Sequence, residues 1–433
     1  MSVFQSVLCA DAPEGHVPED FDEEASLDTK EILSYSWRGL KEASTLLRTI
    51  IIKAPIGDKD SSLLSTSDIE RLGRLCFLQL VELRHRGAFS TVAQTFAAFC
   101  RRCTTSDIEV LRNLPRIWYQ DTLMCIQDKA GSITRRSAGI PSLMSGILAA
   151  EEADGSLFKR AINDLFAEAS KDALSSNIEE SRLPQVHALN CIKQIFTTST
   201  LSAISETYLG NGLDLAARTI NSSIWPIRNC GLMLFKALIE RLLGSDEAQD
   251  WKEQDRTKSS RFSYNKYPHL TEILAKLLDP TGPLQKSMTS TTGTSPIDLH
   301  GAEGVFPALQ ILRQAPPQGP YRHTITESVI NLLSSPHWHL RDMAARTIVS
   351  LHHPSEYYDA IQVFLQRLEG PHNKQHGVLL TLKYMLRQYL LSYLGSDPGK
   401  LFLCLRVIKI SSTPVTSLHS KERLHMCHVK NFE

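Results

Sequence analysis

Apolar residues recur three and four positions apart along most of the chain, the spacing that places side chains on one face of an α-helix. The first such block runs from about residue 28 to residue 54 and ends before Pro55 and Gly57, which interrupt helices. Similar blocks predict helices over 68–84, 88–103, 107–128, 140–151, 157–174, 184–197, 200–219, 225–243, 268–278, 303–313, 322–334, 338–352, 355–369 and 374–394. No block alternates apolar and polar residues with the period of two typical of strands. The pattern predicts an all-α fold.

A turn that occurs twice indicates helical repeats. Ser222-Ser223-Ile224-Trp225-Pro226-Ile227-Arg228-Asn229 is echoed by Ser334-Ser335-Pro336-His337-Trp338-His339-Leu340-Arg341-Asp342, and an apolar helix follows each string. This turn resembles the start of the second helix in HEAT and armadillo repeats, which pair two helices in roughly 40 residues. The fold predicted for residues 29–394 is therefore an α-solenoid of HEAT/armadillo-like helical repeats.

The remaining segments have a different composition. Residues 1–31 contain nine acids and one base, a net charge of −8, which predicts an acidic disordered leader over 1–28. Polar, Ser-, Thr- and Gly-rich stretches predict loops near 245–267 and 281–302. Helical spacing is lost after residue 394, so we expect an irregular C-terminal tail over 395–433.

Charge changes this picture only locally. The 433 residues contain 47 Lys and Arg against 47 Asp and Glu, and a net charge of zero excludes a polybasic protein bound to nucleic acid by bulk charge. Residues 70–141, however, contain eleven bases, ten of them Arg, and six acids. Arginine suits bidentate phosphate contacts and stacking on bases. The alternative interpretation is a set of solvated helix faces with salt bridges.

Most catalytic and cofactor motifs are absent from the sequence. Gly210-Asn211-Gly212 is part of a dinucleotide-binding pattern but follows a predicted helix instead of a strand, which favours a turn between helices. Cys100 and Cys103 form a lone Cys-x-x-Cys. One interpretation is a zinc or redox site, and the alternative is that one thiol is packed in the core and the other is exposed. We expect no bound metal and no cofactor.

The location is predicted from similar absences. No apolar stretch is long enough to span a membrane, and the N-terminal residues lack the basic region followed by an apolar region that is typical of a secretory signal. Nine Cys without a framework spacing fit reduced thiols. We expect a cytoplasmic protein without membrane contact.

One string within the Arg-rich segment is a candidate binding site. Arg135-Arg136-Ser137-Ala138-Gly139-Ile140-Pro141 places two guanidiniums beside a turn of small residues whose backbone N–H groups could face an anion. The proline suits the start of the next helix. The alternative is a tight turn between repeats, with the Arg side chains paired to neighbouring helix C-termini.

The chain resembles the central domain, of unknown function, of the thyroid adenoma-associated protein family. The resemblance is carried, in the family's order, by residues 34–44, 83–89, 135–141, 185–190, 225–229, 334–351 and 373–386. Its most specific part is the string from Arg135 to Pro141. The segment Gln185-Val186-His187-Ala188-Leu189-Asn190 and the segment containing Arg84 and Arg86 also match.

The resemblance implies a function. Fungal members are the non-catalytic subunit of a tRNA ribose methyltransferase, and they assist a partner that uses S-adenosylmethionine in 2′-O-methylation of the anticodon loop at position 32. It therefore implies a scaffold that is not an enzyme and whose partners are the methyltransferase and tRNA. Residues 135–141, with Arg84 and Arg86, are the implied contacts with RNA or with the methyltransferase.

Two departures and one alternative accompany this expectation. Family members usually carry a long helical region before this domain, and residues after Leu401 do not resemble the family's continuation, so we expect a fragment or a truncated member. The alternative function is a helical-repeat scaffold for protein–protein interaction without RNA contact. An enzyme in its own right is disfavoured, because no nucleophile, base and cofactor motif occur at a recognisable spacing.

Overall fold

A computed structural model of the protein describes Leu8 and residues 29–57, 62–131, 137–151, 155–171, 182–243, 264, 267, 270–281, 304–317 and 319–393. Within these residues the chain is helical, and the one β-type pairing is an isolated bridge between Ile56 and Leu64. The predicted all-α fold is confirmed for this part of the chain. The predicted leader, both long loops and the tail lie almost entirely outside it, so they stay predictions.

The chain divides into two compact units, residues 1–273 and 274–433. The α-helices described in unit 1 are α1 (Thr29–Lys53), α2 (Thr66–Glu82), α3 (Arg86–Thr104), α4 (Glu109–Asp128), α5 (Ile140–Leu148), α6 (Ser156–Ala169), α7 (Pro184–Thr197), α8 (Ser202–Ser205), α9 (Leu209–Ile220) and α10 (Trp225–Leu243). Helix α11 (Leu270–Leu277) spans the boundary between the units. The predicted repeat domain, 29–394, covers residues of both units.

Unit 1 stacks its helices in two layers. Helices α1, α3, α5, α7 and α10 pack side by side in sequence order as layer one. Helices α2, α4, α6 and α9 form layer two, and each packs against a layer-one helix. Neighbouring pairs joined by short turns are the packing unit of helical-repeat proteins, so the predicted repeat architecture is confirmed within this unit.

The turns of unit 1 begin helices by ordinary capping chemistry. Ser65 and Asp68 form a reciprocal capping box at the start of α2. Proline occupies the first turn of α5 and of α7, where its missing N–H group costs nothing. These residues explain why the predicted starts lie within a few positions of the observed ones.

One predicted helix is wrong. Residues 200–219 were expected to form a single helix, but the structure has 3-10 turns at Ser199–Leu201 and Glu206–Tyr208 around the four-residue α8, and a full helix only in α9. The Arg241 guanidinium of α10 donates to the carbonyl oxygens of Phe196 and Ser202 and to the Ser205 hydroxyl. These side-chain contacts compete with the helical hydrogen-bond pattern, and the apolar spacing does not reveal them.

Unit 2 repeats the two-layer arrangement. Its described helices are α12 (Val305–Gln314), α13 (Tyr321–Asn331), α14 (Trp338–Leu351), α15 (Tyr357–Gln366) and α16 (His372–Tyr393). Helices α12, α14 and α16 pack in sequence order, and α13 and α15 pack against α14 and α16.

The repeated turn has the same geometry in both units. The Ser222 hydroxyl accepts from the Ile224 N–H at 3.2 Å, and the Ser335 hydroxyl accepts from the His337 N–H at 3.2 Å. Six residues after each serine, an arginine donates back to the serine carbonyl: Arg228 at 3.0 Å and Arg341 at 2.6 Å. The sequence echo is therefore a structural repeat, and the arginine closes its turn.

Candidate functional site

The described part of the predicted motif, Ser137 to Pro141, lies between α4 and α5 and is buried. Ile140 and Pro141 are the first two residues of α5. Arg135 and Arg136 lie outside the described residues. Ser137, Ala138 and Gly139 are buried against other parts of the protein. Their small side chains therefore let neighbouring helices pack closely against the turn.

The backbone of this turn is strained. Ser137 has φ 61° and Ala138 has φ 47°, so two consecutive residues with a Cβ occupy the left-handed region. That conformation costs an L-residue about 1–2 kcal/mol. Surrounding contacts must offset this cost for the turn to persist.

A chain of three hydrogen bonds, two of them fully buried, holds Ser137. The Asn190 Nδ2 group donates to Ser137 Oγ at 3.0 Å, and His187 Nδ1 lies 2.7 Å from the same oxygen. His187 Nε2 lies 3.0 Å from the carbonyl oxygen of Lys129. Since a carbonyl oxygen only accepts, Nε2 carries the imidazole proton, and Nδ1 accepts the proton of the Ser137 hydroxyl. The bonds therefore run in one direction, from Asn190 through Ser137 and His187 to Lys129.

The surroundings keep His187 neutral. Burial lowers the pKa of His187 below its ordinary value of 6.5; the hydrogen bond to Lys129 opposes this effect, and the nearby Arg84 guanidinium adds to it. A neutral imidazole is the form that the hydrogen bonds require, because a protonated Nδ1 could not accept from Ser137. The electrostatics and the geometry agree.

The Ser137–His187 pair contains the atoms of an acyl-transfer dyad but lacks its exposure. Ser137 has no solvent-accessible surface, and Asn190 donates to the oxygen that would attack a substrate. A nucleophile must reach its substrate, so the pair is a structural contact that fixes the turn.

Gly139 lets the turn contact α2 closely. A Cβ atom at this position would lie 2.3 Å from the carbonyl oxygen of Leu80, a distance that no real Cβ contact shows. Only glycine permits α5 to begin this close to the end of α2. The motif therefore joins the end of α2 to the hydrogen bonds of α7.

The two predicted arginines outside the motif lie next to it. Arg84 is half-buried between α2 and α3, and its guanidinium donates to the Val81 carbonyl at 2.9 Å. Arg86 is exposed as the first residue of α3. The backbone N–H groups of Arg84 and His85 donate to the carbonyl oxygen of Leu8, which is buried here although it belongs to the predicted leader.

These residues lie at one edge of unit 1, which we call the motif edge. It comprises the turns from layer two to layer one, the last four residues of α2, α4, α6 and α9, and the first four of α3, α5, α7 and α10. Its described residues include seven bases and three acids: Arg84, Arg86, Lys129, Lys171, Arg182, Arg218 and Arg228 against Glu82, Asp128 and Glu168.

The opposite edge comprises the turns from layer one to layer two and is counted in the same way. Its described residues include five bases and five acids: Lys53, Arg101, Arg102, Arg112 and Lys159 against Asp68, Asp107, Glu109, Glu151 and Glu206. Each edge contains both N-termini and C-termini of helices, so the helix dipoles do not distinguish the two edges. Among the described residues, positive side-chain charge is concentrated where the motif lies, and an anionic partner would be attracted to that edge.

Sequence reasoning missed the residues that fix the motif. His187 and Asn190 lie about fifty positions after Ser137 and contact it only because α7 packs against α5. Their segment, 185–190, formed part of the family resemblance but was given no role. The signal available in the sequence was a His and an Asn, three residues apart, in a stretch of α7 (186–192) whose other residues are apolar.

The other candidate chemistry does not assemble. Cys100 and Cys103 are both buried, so the expectation of one exposed thiol is wrong, and burial raises the pKa of Cys103 to about 12. Gly210 and Gly212 lie within the first turn of α9, so the turn expected between helices at this position is wrong. The described residues contain no cluster of three His, Cys, Asp or Glu side chains suited to a metal ion. Nor does any described helix have the length and apolar character of a membrane span.

Comparison with known proteins agrees with this architecture. The family model described as "THADA/TRM732, DUF2428" matches residues 1–226, and the one described as "Trm732, C-terminal TPR repeats" matches residues 228–385. A "tRNA (32-2'-O)-methyltransferase regulator trm732" of Schizosaccharomyces pombe is 32% identical over 404 residues, which is 89% of this chain and 26% of the relative. No solved structure matches the chain.

Animal relatives give the same picture at lower identity. A "tRNA (32-2'-O)-methyltransferase regulator THADA" of Gallus gallus is 27% identical, and the one of Homo sapiens is 26% identical. Each match covers 83% of this chain and 19% of the relative. The chain thus spans about a quarter to a fifth of the length of the curated relatives it matches.

The fold and the motif edge define a class: an all-α protein of stacked helical repeats with a buried, strained turn at a positively charged edge. Within that class, the chain belongs to the THADA/Trm732 family. The resemblance inferred from the sequence is confirmed.

Proposed function

We propose that the chain is a non-catalytic scaffold that supports 2′-O-ribose methylation of the tRNA anticodon loop, at position 32, by a partner methyltransferase that uses S-adenosylmethionine. The support for this function is the relatives' names, which describe regulators of a tRNA (32-2'-O)-methyltransferase. The partner supplies the cofactor and the reacting groups. This chain supplies binding and orientation.

The single observation that carries the proposal for this chain is the motif edge. It combines a charge of +4 in the described residues with a turn that a chain of three hydrogen bonds holds in a strained conformation. Strain of this kind persists where the surrounding structure requires one backbone arrangement, and it is common at binding sites. Phosphate groups of RNA are the anionic partner that such an edge suits.

Arg135 and Arg136, outside the described residues, are the two bases of the sequence motif. They directly precede Ser137, and Arg suits phosphate because its planar guanidinium donates two parallel hydrogen bonds. To test them, both are replaced by Ala, and methylation of position 32 by the partner is measured by mass spectrometry. We expect a loss of methylation with an unchanged unfolding midpoint; unchanged methylation would remove the role assigned to these arginines.

Charge-matched variants test RNA binding by the edge itself. Arg86→Gln combined with Arg182→Gln removes two bases of the motif edge, whereas Arg101→Gln combined with Lys159→Gln removes two exposed bases of the opposite edge. Each phosphate contact with a single strand contributes about 0.7 to the slope of log affinity against log salt concentration. We expect the first pair to weaken tRNA binding and reduce that slope, and the second pair to change neither. Equal effects of both pairs would show that tRNA binding depends only on the total charge of the chain and not on the motif edge.

A protein-only scaffold is the second candidate, and one surface favours it. Val110, Ile117 and Met124 are seven residues apart on α4, and each is more than half exposed. Spacing of seven places them along one face of the helix, as a partner helix would require. If binding a protein through this surface is the chain's whole function, the chain binds the methyltransferase but shows no salt-dependent affinity for tRNA.

A further inference from the structure

Both copies of the repeated turn carry an exposed tryptophan. Trp225 is 63% exposed and Trp338 is 54% exposed, and each is the first residue of a helix. Indole is among the largest apolar groups in proteins, and burying it is normally favourable. Side chains of this kind left on a surface are concentrated at binding sites.

Neither indole is needed to form its turn. The serine hydroxyl accepts a backbone N–H two residues later, and the arginine donates to the serine carbonyl, in both copies. These bonds involve only the Ser and Arg side chains and the backbone. The fold therefore does not explain why the residue between them is tryptophan.

Trp225 lies at the motif edge. Asn190 of α7 donates to the Cys230 sulfur of α10 at 3.5 Å, so these two positions are level in neighbouring layer-one helices. Counting back five residues along both helices places Trp225 level with Gln185, the second residue of α7. It is thus next to the helix that holds Ser137, and its edge carries Arg182 and Arg228.

The two indoles differ in what already covers them. The Trp338 ring lies 4.0 Å, centroid to centroid, from the His339 ring, which occupies part of its surface. Among the described residues, no aromatic ring stacks on Trp225, and its indole is the more exposed of the two.

We propose that Trp225 is a stacking platform for an unpaired base of the tRNA anticodon loop. The inference rests on the proposed function, because it specifies how the same edge contacts RNA. Single-stranded RNA is bound by aromatic side chains that stack on bases beside basic residues that contact phosphates, and the motif edge provides both. A protein partner is less suited, because Arg182 and Arg228 of the same edge favour an anionic partner.

The test uses the full chain in complex with its methyltransferase and an unmodified anticodon stem-loop RNA as the probe. Stacking on one base accounts for about 1–3 kcal/mol, so Trp225→Ala should raise the dissociation constant by about fivefold or more. Trp225→Phe keeps a ring and should retain most of the affinity. Trp338→Ala, which removes the equivalent indole of unit 2, is the matched control and should bind as the wild type does.

Tryptophan fluorescence gives a second readout. RNA binding should quench the emission of the wild type and of Trp338→Ala, and should quench Trp225→Ala much less. The inference is wrong if Trp225→Ala binds the stem-loop as tightly as the wild type, or if Trp225→Phe loses as much affinity as Trp225→Ala at an unchanged unfolding midpoint. Either of these results would leave the proposed function intact as long as the wild-type complex binds the RNA. If the wild-type complex does not bind the RNA, the inference about Trp225 and the proposed function are both wrong.

Discussion

Ser137 Oγ lies 2.7 Å from Nδ1 of His187, and this buried contact joins the turn before α5 to the first turns of α7. This contact holds Ser137 in place at φ 61°. Ser137 belongs to the motif that is the most specific part of the family resemblance, and the motif begins two residues before it. A strained backbone beside a charged edge is therefore maintained by side chains about fifty positions away. The stability of this turn and the function of the edge should be separable by mutation.

Ser137→Ala should destabilise unit 1. The substitution leaves His187 Nδ1 buried without a hydrogen-bond partner, and an unsatisfied buried group costs about 1–3 kcal/mol. Asn190 Nδ2 loses one acceptor but keeps the Val186 carbonyl and the Cys230 sulfur. We expect a loss of about 1–3 kcal/mol in urea-induced unfolding. Ser90→Ala, an exposed serine of α3, is the control and should change the free energy of unfolding by less than about 0.5 kcal/mol. Similar effects of the two substitutions would show that the network contributes little.

The stability of the fold should fall at mildly acidic pH because of His187. Its pKa is lowered in the folded chain, so the unfolded chain takes up a proton first as the pH falls below 6.5. Protonation then favours unfolding, by at most about 1.4 kcal/mol per pH unit for one group. The slope should be smaller in His187→Asn, which does not titrate. Urea unfolding between about pH 5 and pH 8 measures both slopes; identical slopes would contradict the assignment.

Gly139→Ala should be far more damaging than Gly39→Ala. A Cβ at Gly139 would overlap the Leu80 carbonyl, so α2 and α5 must separate, and overpacking of this kind costs at least about 2 kcal/mol. At Gly39, within α1, nothing lies within 4 Å of an added Cβ. Alanine there should increase stability by about 0.5–1 kcal/mol, because glycine is a poor helix former. Thermal unfolding compares the pair, and equal shifts would show that the close contact is absent.

Arg341→Lys should destabilise unit 2. The Arg341 guanidinium is nearly buried and donates to the carbonyl oxygens of Ser335 and Pro336 and to His376 Nδ1. A lysine ammonium cannot match three acceptors arranged for a planar fork, and we expect a loss of about 1–3 kcal/mol. Arg228→Lys changes the equivalent, more exposed residue of unit 1 and should cost less. Denaturant unfolding distinguishes them, and a larger loss at Arg228 would contradict this comparison.

Helical spacing was sufficient to predict the fold, because each layer buries one face of regular helices. The repeated turn was also visible in the sequence, since its Ser and Arg act within six residues of each other. The exceptions depend on long-range contacts. Arg241 interrupts the helix predicted over 200–219 from a separate helix, and no local pattern signals that contact.

The candidate site could be predicted only in part. The string from Arg135 to Pro141 indicated where to look, but its burial and the left-handed φ angles of Ser137 and Ala138 depend on how α2, α5 and α7 pack. Contacts between residues fifty positions apart are set by tertiary packing. Sequence alone therefore located the turn and could not show what holds it.

Methyl transfer to position 32 in a reconstituted reaction addresses the proposed function most directly. Purified methyltransferase, S-adenosylmethionine and unmodified tRNA are incubated with this chain, without it, and with the chain in place of the methyltransferase, and 2′-O-methylation is measured by mass spectrometry. We predict methylation that requires both proteins and none with the chain alone. Equal methylation with and without the chain, or methyl transfer by the chain alone, would contradict a non-catalytic scaffold.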